Sequence, residues 1–290
     1  MIIEGKKIAA FLEKSLKKEV SALKKKKKKK LHLVTFLIGQ SKDQISFVKI
    51  KAKVAKKLGI VFELVHLKTV PSFEKFMQLL KEKSDDREVT GILIQQPLPA
   101  ALSTESIYDY IPDLKEIEGH GRKSPFTPPI GLAVLTVLKF IFSGLKTKNA
   151  LVENLEKERL FFKRMCKNKR TVLIGRGITG GQPIGLTLSQ ASINYININS
   201  QTPSPATYIQ EADIVISAVG KKVILPTMLK PGTILINVGL RNENNRLKGD
   251  YDEKEIRDIA NYYTPTPGGV GPIDVLYLYK NLVDAAKMQK

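Results

Sequence analysis

Phe47 and Lys51 stand four residues apart in a stretch with helical periodicity, which puts an aromatic ring and an amine on one helix face. Gln95 closes an apolar strand-like run, residues 89–95, and open α/β sheets present ligand groups at the carboxyl ends of their strands. Taken alone in a chain this basic, Lys51 reads as one solvated lysine among many. A second candidate is Gly175-Arg176-Gly177-Ile178-Thr179-Gly180, a G-x-G-x-x-G sequence between an apolar strand, residues 171–174, and a helix expected from Pro183. Glycines there permit a tight turn and close approach of a pyrophosphate, whose charge is met by the free N–H groups of the helix start. An ordinary tight turn is the other reading. The next apolar run ends at Asn199-Ser200, where an NAD site would place Asp or Glu against the ribose 2′-hydroxyl. With no acid there, Arg176 and Ser200 suit a 2′-phosphate and make NADP the expected cofactor; a solvated loop arginine is the competing reading.

The elements that must hold these residues alternate. A helical period through Ile8, Leu12, Leu16 and Val20 precedes a buried strand at residues 31–39; a helix over 44–58, stopped by Gly59, precedes a strand at 60–66; a helix near 73–83 precedes the strand that ends at Gln95. This alternation predicts a parallel sheet. Periodicity breaks between residues 110 and 129, which are rich in Pro, Gly and charge, and a helix over 130–142 opens a second unit. Apolar runs at 171–174, 193–198, 214–219 and 233–238 predict a second parallel sheet. The charged stretch 146–169 reads as a surface helix. The expected organisation is two-domain α/β: an N-terminal domain over residues 1–129, a Rossmann-type domain over 130–272, and a final helix, 273–290, packed back on the first.

Length and composition agree with a globular chain: 290 residues, 42% hydrophobic and 26% charged. The apolar runs are too short to span a bilayer and no signal-type segment is evident, so no membrane association and a cytoplasmic location are expected. The single Cys166 and the scattered His32, His66 and His120 argue against a metal site. A net charge of +20 fits an anionic partner of any kind. Its densest source, the run from Lys24 to Lys30, lacks the aromatics and glycines of a nucleic-acid module, so a solvated, self-repelling segment is expected and nucleic acid is not the expected partner.

Together, FVKIK (residues 47–51), GILIQQPLP (91–99), KEIEG (115–119), GRGITGGQP (175–183) and TPTPGGVGP (264–272) closely resemble the bifunctional methylenetetrahydrofolate dehydrogenase and methenyltetrahydrofolate cyclohydrolase family, called FolD in bacteria. The resemblance covers nearly the whole chain, in the family's order. It implies NADP-linked one-carbon chemistry on tetrahydrofolate derivatives, feeding purine biosynthesis, in a homodimer, with the folate in the cleft between the domains. It also implies roles: Lys51 as the central group of the cyclohydrolase step, supported by Gln95; folate contacts from Phe47, Val48, Lys49, Ile50, Ile94, Gln96, Pro267, Gly268, Gly269, Val270 and Gly271; cofactor contacts from Gly175, Arg176, Gly177, Ser200 and Leu240. Glu118 matches the family's pterin-binding aspartate with an arm one methylene longer. Phe47 replaces a tyrosine, Gly177 a serine and Asp274 a threonine, and the segment after Gly119 is short. The expected outcome is a dehydrogenase with reduced cyclohydrolase activity; a single-activity relative or a non-catalytic folate- or nucleotide-binding relative is the alternative.

Overall fold

The computed structural model describes residues 1–27, 30–244 and 246–289; Lys28 and Lys29, the middle of the lysine run, lie outside it. The chain divides into two compact units: Glu13–Pro129 with Val275–Lys290, and Met1–Leu12 with Ile130–Asp274. This moves residues 1–12 out of the N-terminal domain expected from sequence. The reason is hydrogen bonding. Ile3 N donates to Tyr263 O, Tyr263 N to Met1 O, and Lys6 N to Gly268 O, so the N-terminus is stitched to a segment more than 250 residues away.

In the first unit, helix α1 (Gly5–Lys27) buries Leu16 and Val20 at helical spacing. Strand β1 (His32–Ile38), helix α2 (Lys42–Leu58), strand β2 (Val61–Leu67), helix α3 (Phe73–Asp85) and strand β3 (Gly91–Ile94) follow in order. The strands form a parallel sheet, β2-β1-β3, in which Phe36 pairs with Ile94. β1 and β3 are buried along nearly their whole length, the pattern of a sheet covered on both faces. Ser41 caps α2 by accepting from Gln44 N, and Gly59 ends it in the left-handed region at φ 74°.

The second unit runs helix α4 (Pro129–Phe142), helix α5 (Leu155–Cys166), strand β4 (Thr171–Ile174), helix α6 (Gly181–Gln190), strand β5 (Ile196–Ile198), helix α7 (Pro205–Glu211), strands β6 (Ile214–Ser217), β7 (Ile234–Asn237), β8 (Arg241–Glu243) and β9 (Arg246–Lys248), helix α8 (Glu253–Ile256) and strand β10 (Tyr262–Tyr263). Its parallel sheet has the order β10-β7-β6-β4-β5, and β8 and β9 make a separate hairpin. The short β10 and the hairpin have no apolar run to announce them. The charged segment expected on the surface is only half exposed: Leu160 on α5 faces solvent, while Phe162 and Cys166 are buried, as are Ala150, Leu151 and Val152 before it. Helix α9 (Gly271–Met288) closes the chain. Within the first unit it approaches β3 closely because Gly91 has no side chain; a Cβ there would lie 2.6 Å from Leu282 Cδ1.

In both sheets the strand order reverses beside the strand that comes first in the chain, β1 in one and β4 in the other, which places each unit's ligand crevice at the carboxyl ends of those strands.

Candidate active site

The first crevice is framed by α2 and the end of β3. Gln95 N donates to Phe36 O at 2.9 Å, extending the ladder one residue and fixing where the Gln95 side chain starts. Lys51 Nζ then donates to Gln95 Oε1 at 2.9 Å. Gln95 Nε2 donates to Gln96 O at 2.8 Å, so both ends of this buried amide are satisfied. Gln96 is clamped in turn: its Nε2 donates to the Tyr108 hydroxyl at 2.7 Å and its Oε1 accepts from Leu98 N at 2.9 Å. The Tyr108 ring lies 4.9 Å from the His120 ring. Gln44 Nε2 reaches Pro97 O at 2.6 Å and ties the start of α2 to the same segment.

Glu118 completes this neighbourhood. Its Oε2 is buried with no hydrogen-bond partner among the described residues. Burial holds its carboxyl above the usual carboxylate range, against the opposing positive fields of Lys51 and His120; Glu116 pushes the same way as burial. Glu116 itself is a structural carboxylate, accepting from the main-chain N–H groups of Glu118, His120 and Gly121. The turn needs Gly119, at φ 74°, because a Cβ there would meet Phe126 O at 2.6 Å. An unpaired acceptor beside a lysine is poised to receive donors from a ligand.

The sequence-derived folate contacts divide. Lys51, Gln95 and Gln96 belong to one hydrogen-bonded network next to the buried Ile94, with Glu118 close enough to feel the charge of Lys51. Phe47 is half-buried on α2. Val48 points into the core, and Lys49 and Ile50 are exposed. Pro267, Gly268, Gly269, Val270 and Gly271 lie in the second unit, where Val270 is buried.

In the second unit the loop after β4 is built for a close approach. Gly175 has φ 104°, and a Cβ on Gly181 would lie 2.2 Å from Gly175 O, so the helix start packs directly on the strand end. A Cβ on Gly177 would meet nothing within 4 Å, which leaves open space above the loop. Asn197 Nδ2 donates to Gly175 O at 2.8 Å, and exposed Arg176 donates from Nη2 to Gln201 Oε1 at 2.6 Å. Ser200 and Leu240 are also exposed. No acid stands at Asn199, Ser200 or Gln201, so the cradle suits a phosphorylated dinucleotide.

Residues without a sequence motif hold this unit's loops. Buried Asp250 accepts from Ser217 Oγ at 2.5 Å, Val219 N at 2.9 Å and Gly220 N at 2.9 Å. Its own N–H donates to Asn237 Oδ1, and Asn237 Nδ2 donates to Gly239 O and Thr266 Oγ1. One buried pair thus ties the loops after β6 and β7 to the glycine-rich loop. No local pattern marks either residue, because all but one of these partners lie 13 or more residues away.

Residues 3–118 match the family described as tetrahydrofolate dehydrogenase/cyclohydrolase, catalytic domain, and residues 147–290 its NAD(P)-binding domain. The chain belongs to the tetrahydrofolate dehydrogenase/cyclohydrolase family. It is 32% identical to the bifunctional protein FolD of Staphylococcus aureus (strain JH9), over all of this chain and 97% of that one. Among solved structures it is similar to the bifunctional FolD of Campylobacter jejuni, with a TM-score of 0.85 and 27% identity over 99% of this chain and 98% of that one. It is also similar to the Trypanosoma brucei FolD complexed with NADP cofactor and inhibitor, with a TM-score of 0.78 and 26% identity over 99% and 97% of the two chains.

Proposed function

We infer that Lys51 and Gln95 carry the hydrolytic step of an NADP-dependent methylenetetrahydrofolate dehydrogenase and methenyltetrahydrofolate cyclohydrolase. The observation that supports this reading is the 2.9 Å bond between Lys51 Nζ and buried Gln95 Oε1, set beside a carboxylate with an unpaired oxygen. In the first step the methylene carbon gives up a hydride, which NADP accepts when bound. Gly175, Arg176, Gly177, Ser200 and Leu240 would hold that cofactor, and the Arg176 guanidinium would supply paired donors for a 2′-phosphate. In the second step water bonds to the methenyl carbon and a C–N bond to that carbon breaks; one of the water's protons ends on the freed nitrogen and the other is released by way of the Lys51 amine, which Gln95 orients. Glu118 receives N–H donors of the pterin edge, and Phe47 stacks on the folate's aromatic part without the hydroxyl of a tyrosine. The second step is therefore the slower of the two.

Supplying methylenetetrahydrofolate with NADP while following reduced cofactor and methenyl intermediate tests this. Transient accumulation of the intermediate is expected, and Lys51→Met makes it the end product. Hydrolysis at the parental rate in Lys51→Met would remove the assignment. A homodimer in the cytoplasm is part of the same reading. It is supported by the open edge of β5, where Ile196 is exposed, and by exposed Leu186 on the neighbouring α6. Ile196→Lys is expected to yield monomers by light scattering.

A further inference from the structure

The side chain of Gln95 poses a problem of orientation. A primary amide has nearly the same shape when its oxygen and nitrogen exchange places, and only one arrangement presents an acceptor to Lys51. In the other, Nε2 would face the ammonium and the pair would have no hydrogen bond. The choice is made by Gln96 O, which accepts from Gln95 Nε2 at 2.8 Å and so turns Oε1 toward the lysine.

What holds the Gln96 carbonyl is the Gln96 side chain, gripped at both ends. Its oxygen takes Leu98 N at 2.9 Å and its nitrogen gives to the Tyr108 hydroxyl at 2.7 Å. The grip is rigid because Tyr108 and Gln96 are both buried and the phenol ring rests on His120. Burial and the nearby Glu118 carboxylate keep the phenol protonated far above neutral pH, so its oxygen is a constant acceptor over any working range.

We propose that Tyr108 is a positioning residue for the hydrolytic step: through Gln96 and the Gln95 amide, its hydroxyl fixes the orientation in which Lys51 is held. The inference rests on the reading that Lys51 serves that step. Among the described residues, the route from the phenol to the amine has three hydrogen bonds, Tyr108 to Gln96, Gln96 to Gln95 and Gln95 to Lys51. Loss of the first leaves the Gln96 side chain held only through Leu98 N and so loosens the second.

The test compares Tyr108→Phe, which keeps the ring on His120 and removes only the hydroxyl, with the double variant Gln96→Leu/Tyr108→Phe, which removes both partners. Deleting the phenol alone strands the buried Gln96 Nε2 donor, whereas the double variant removes that donor and leaves only Leu98 N without its side-chain acceptor, so part of the lost stability is recovered. Thermal midpoint and the separate rates of methylene oxidation and methenyl hydrolysis are measured for each, with the pH profile of hydrolysis. Tyr108→Phe is expected to lower kcat for hydrolysis by about tenfold with little change in KM, and to leave oxidation within about twofold. In the double variant part of the stability returns and hydrolysis stays low, because the main-chain carbonyl at position 96 that orients the Gln95 amide is no longer held in place by its side chain. Hydrolysis that recovers together with stability, or that never falls in Tyr108→Phe, overturns the proposal. Lys51→Met, assayed alongside, separates the causes. If it abolishes hydrolysis while Tyr108→Phe does not, the positioning role alone fails; if it spares hydrolysis, the assignment of Lys51 fails first.

Discussion

The Tyr279 hydroxyl donates to the main-chain carbonyl of Lys51 at 2.7 Å, across 228 residues of sequence. α9 thereby grips α2 at the residue whose amine meets Gln95, so the backbone under Lys51 is fixed from one side and its side chain from the other. Tyr279 is fully buried, and Asn281 on the same helix adds donors to Ile117 O and Thr127 O of this unit. Tyr279→Phe keeps the ring and deletes one hydrogen bond to a helix carbonyl. It is expected to cost about 1 kcal/mol in urea unfolding, the usual net value of such a bond, and to slow hydrolysis several-fold with oxidation unchanged. Equal slowing of both steps would point to a general loosening instead.

Glu118 links function to pH. Burial raises its carboxyl above the value it has in the unfolded chain, so between those two values the folded protein keeps a proton that the unfolded chain has lost. Stability is therefore greater in acid as far as this group is concerned; it falls as pH rises through that interval and stays lower above it. Glu118→Gln removes the titration. The variant is expected to melt above the parent at pH 8 and to converge with it near pH 4, while its folate affinity drops about tenfold or more because a neutral amide replaces the charge. A stability gap that widens in acid would contradict this account.

Local grammar made much of this legible. Strand, glycine loop and helix start are contiguous from residue 171 to 190, and a spacing of four put Phe47 and Lys51 on one helix, so short-range rules sufficed there. Gln95 was readable because it ends an apolar run. Asp250, Asn237, Tyr108 and Tyr279 were not, since each acts on groups 12 to 228 residues away and sits in unremarkable surroundings. The same cause hides the ties of residues 1–12: their helical period shows that a helix forms but cannot show that main-chain bonds join them to Tyr263 and Gly268.

Asp250 is the residue whose loss should be felt most widely in the second unit. Its two oxygens take one hydroxyl and two main-chain N–H groups, and Gly239 leaves room for it; a Cβ there would lie 2.2 Å from Asp250 Oδ1. Asp250→Ala strands those three donors in the interior and is expected to destabilise the fold by about 3 kcal/mol or more. Addition of NADP should then raise the melting midpoint less than it does in the parent, because the Val219-Gly220 loop is no longer held. Gly239→Ala tests the same contact from the other side and should weaken cofactor binding similarly. Full NADP stabilisation in both variants would show that these loops do not serve the cofactor.

Cofactor choice turns on Arg176 and its neighbour. Gln201 accepts from Arg176 Nη2 at 2.6 Å, which holds an exposed guanidinium over the end of β5 while leaving its other donors for a phosphate. Both residues are solvated, so neither contributes measurably to folding, and their substitution reports on binding alone. Arg176→Ala is expected to raise KM for NADP by about ten- to a hundredfold and leave KM for NAD nearly unchanged, since NAD has no 2′-phosphate to lose. Gln201→Glu keeps the partner but adds a charge that pairs with Arg176 and repels the phosphate. It should therefore lower kcat/KM for NADP and, by offering an acceptor to the 2′-hydroxyl, raise it for NAD. The ratio of the two kcat/KM values, measured at low and at high salt, decides the matter: a preference for NADP that survives both substitutions would place the 2′-phosphate elsewhere on the protein.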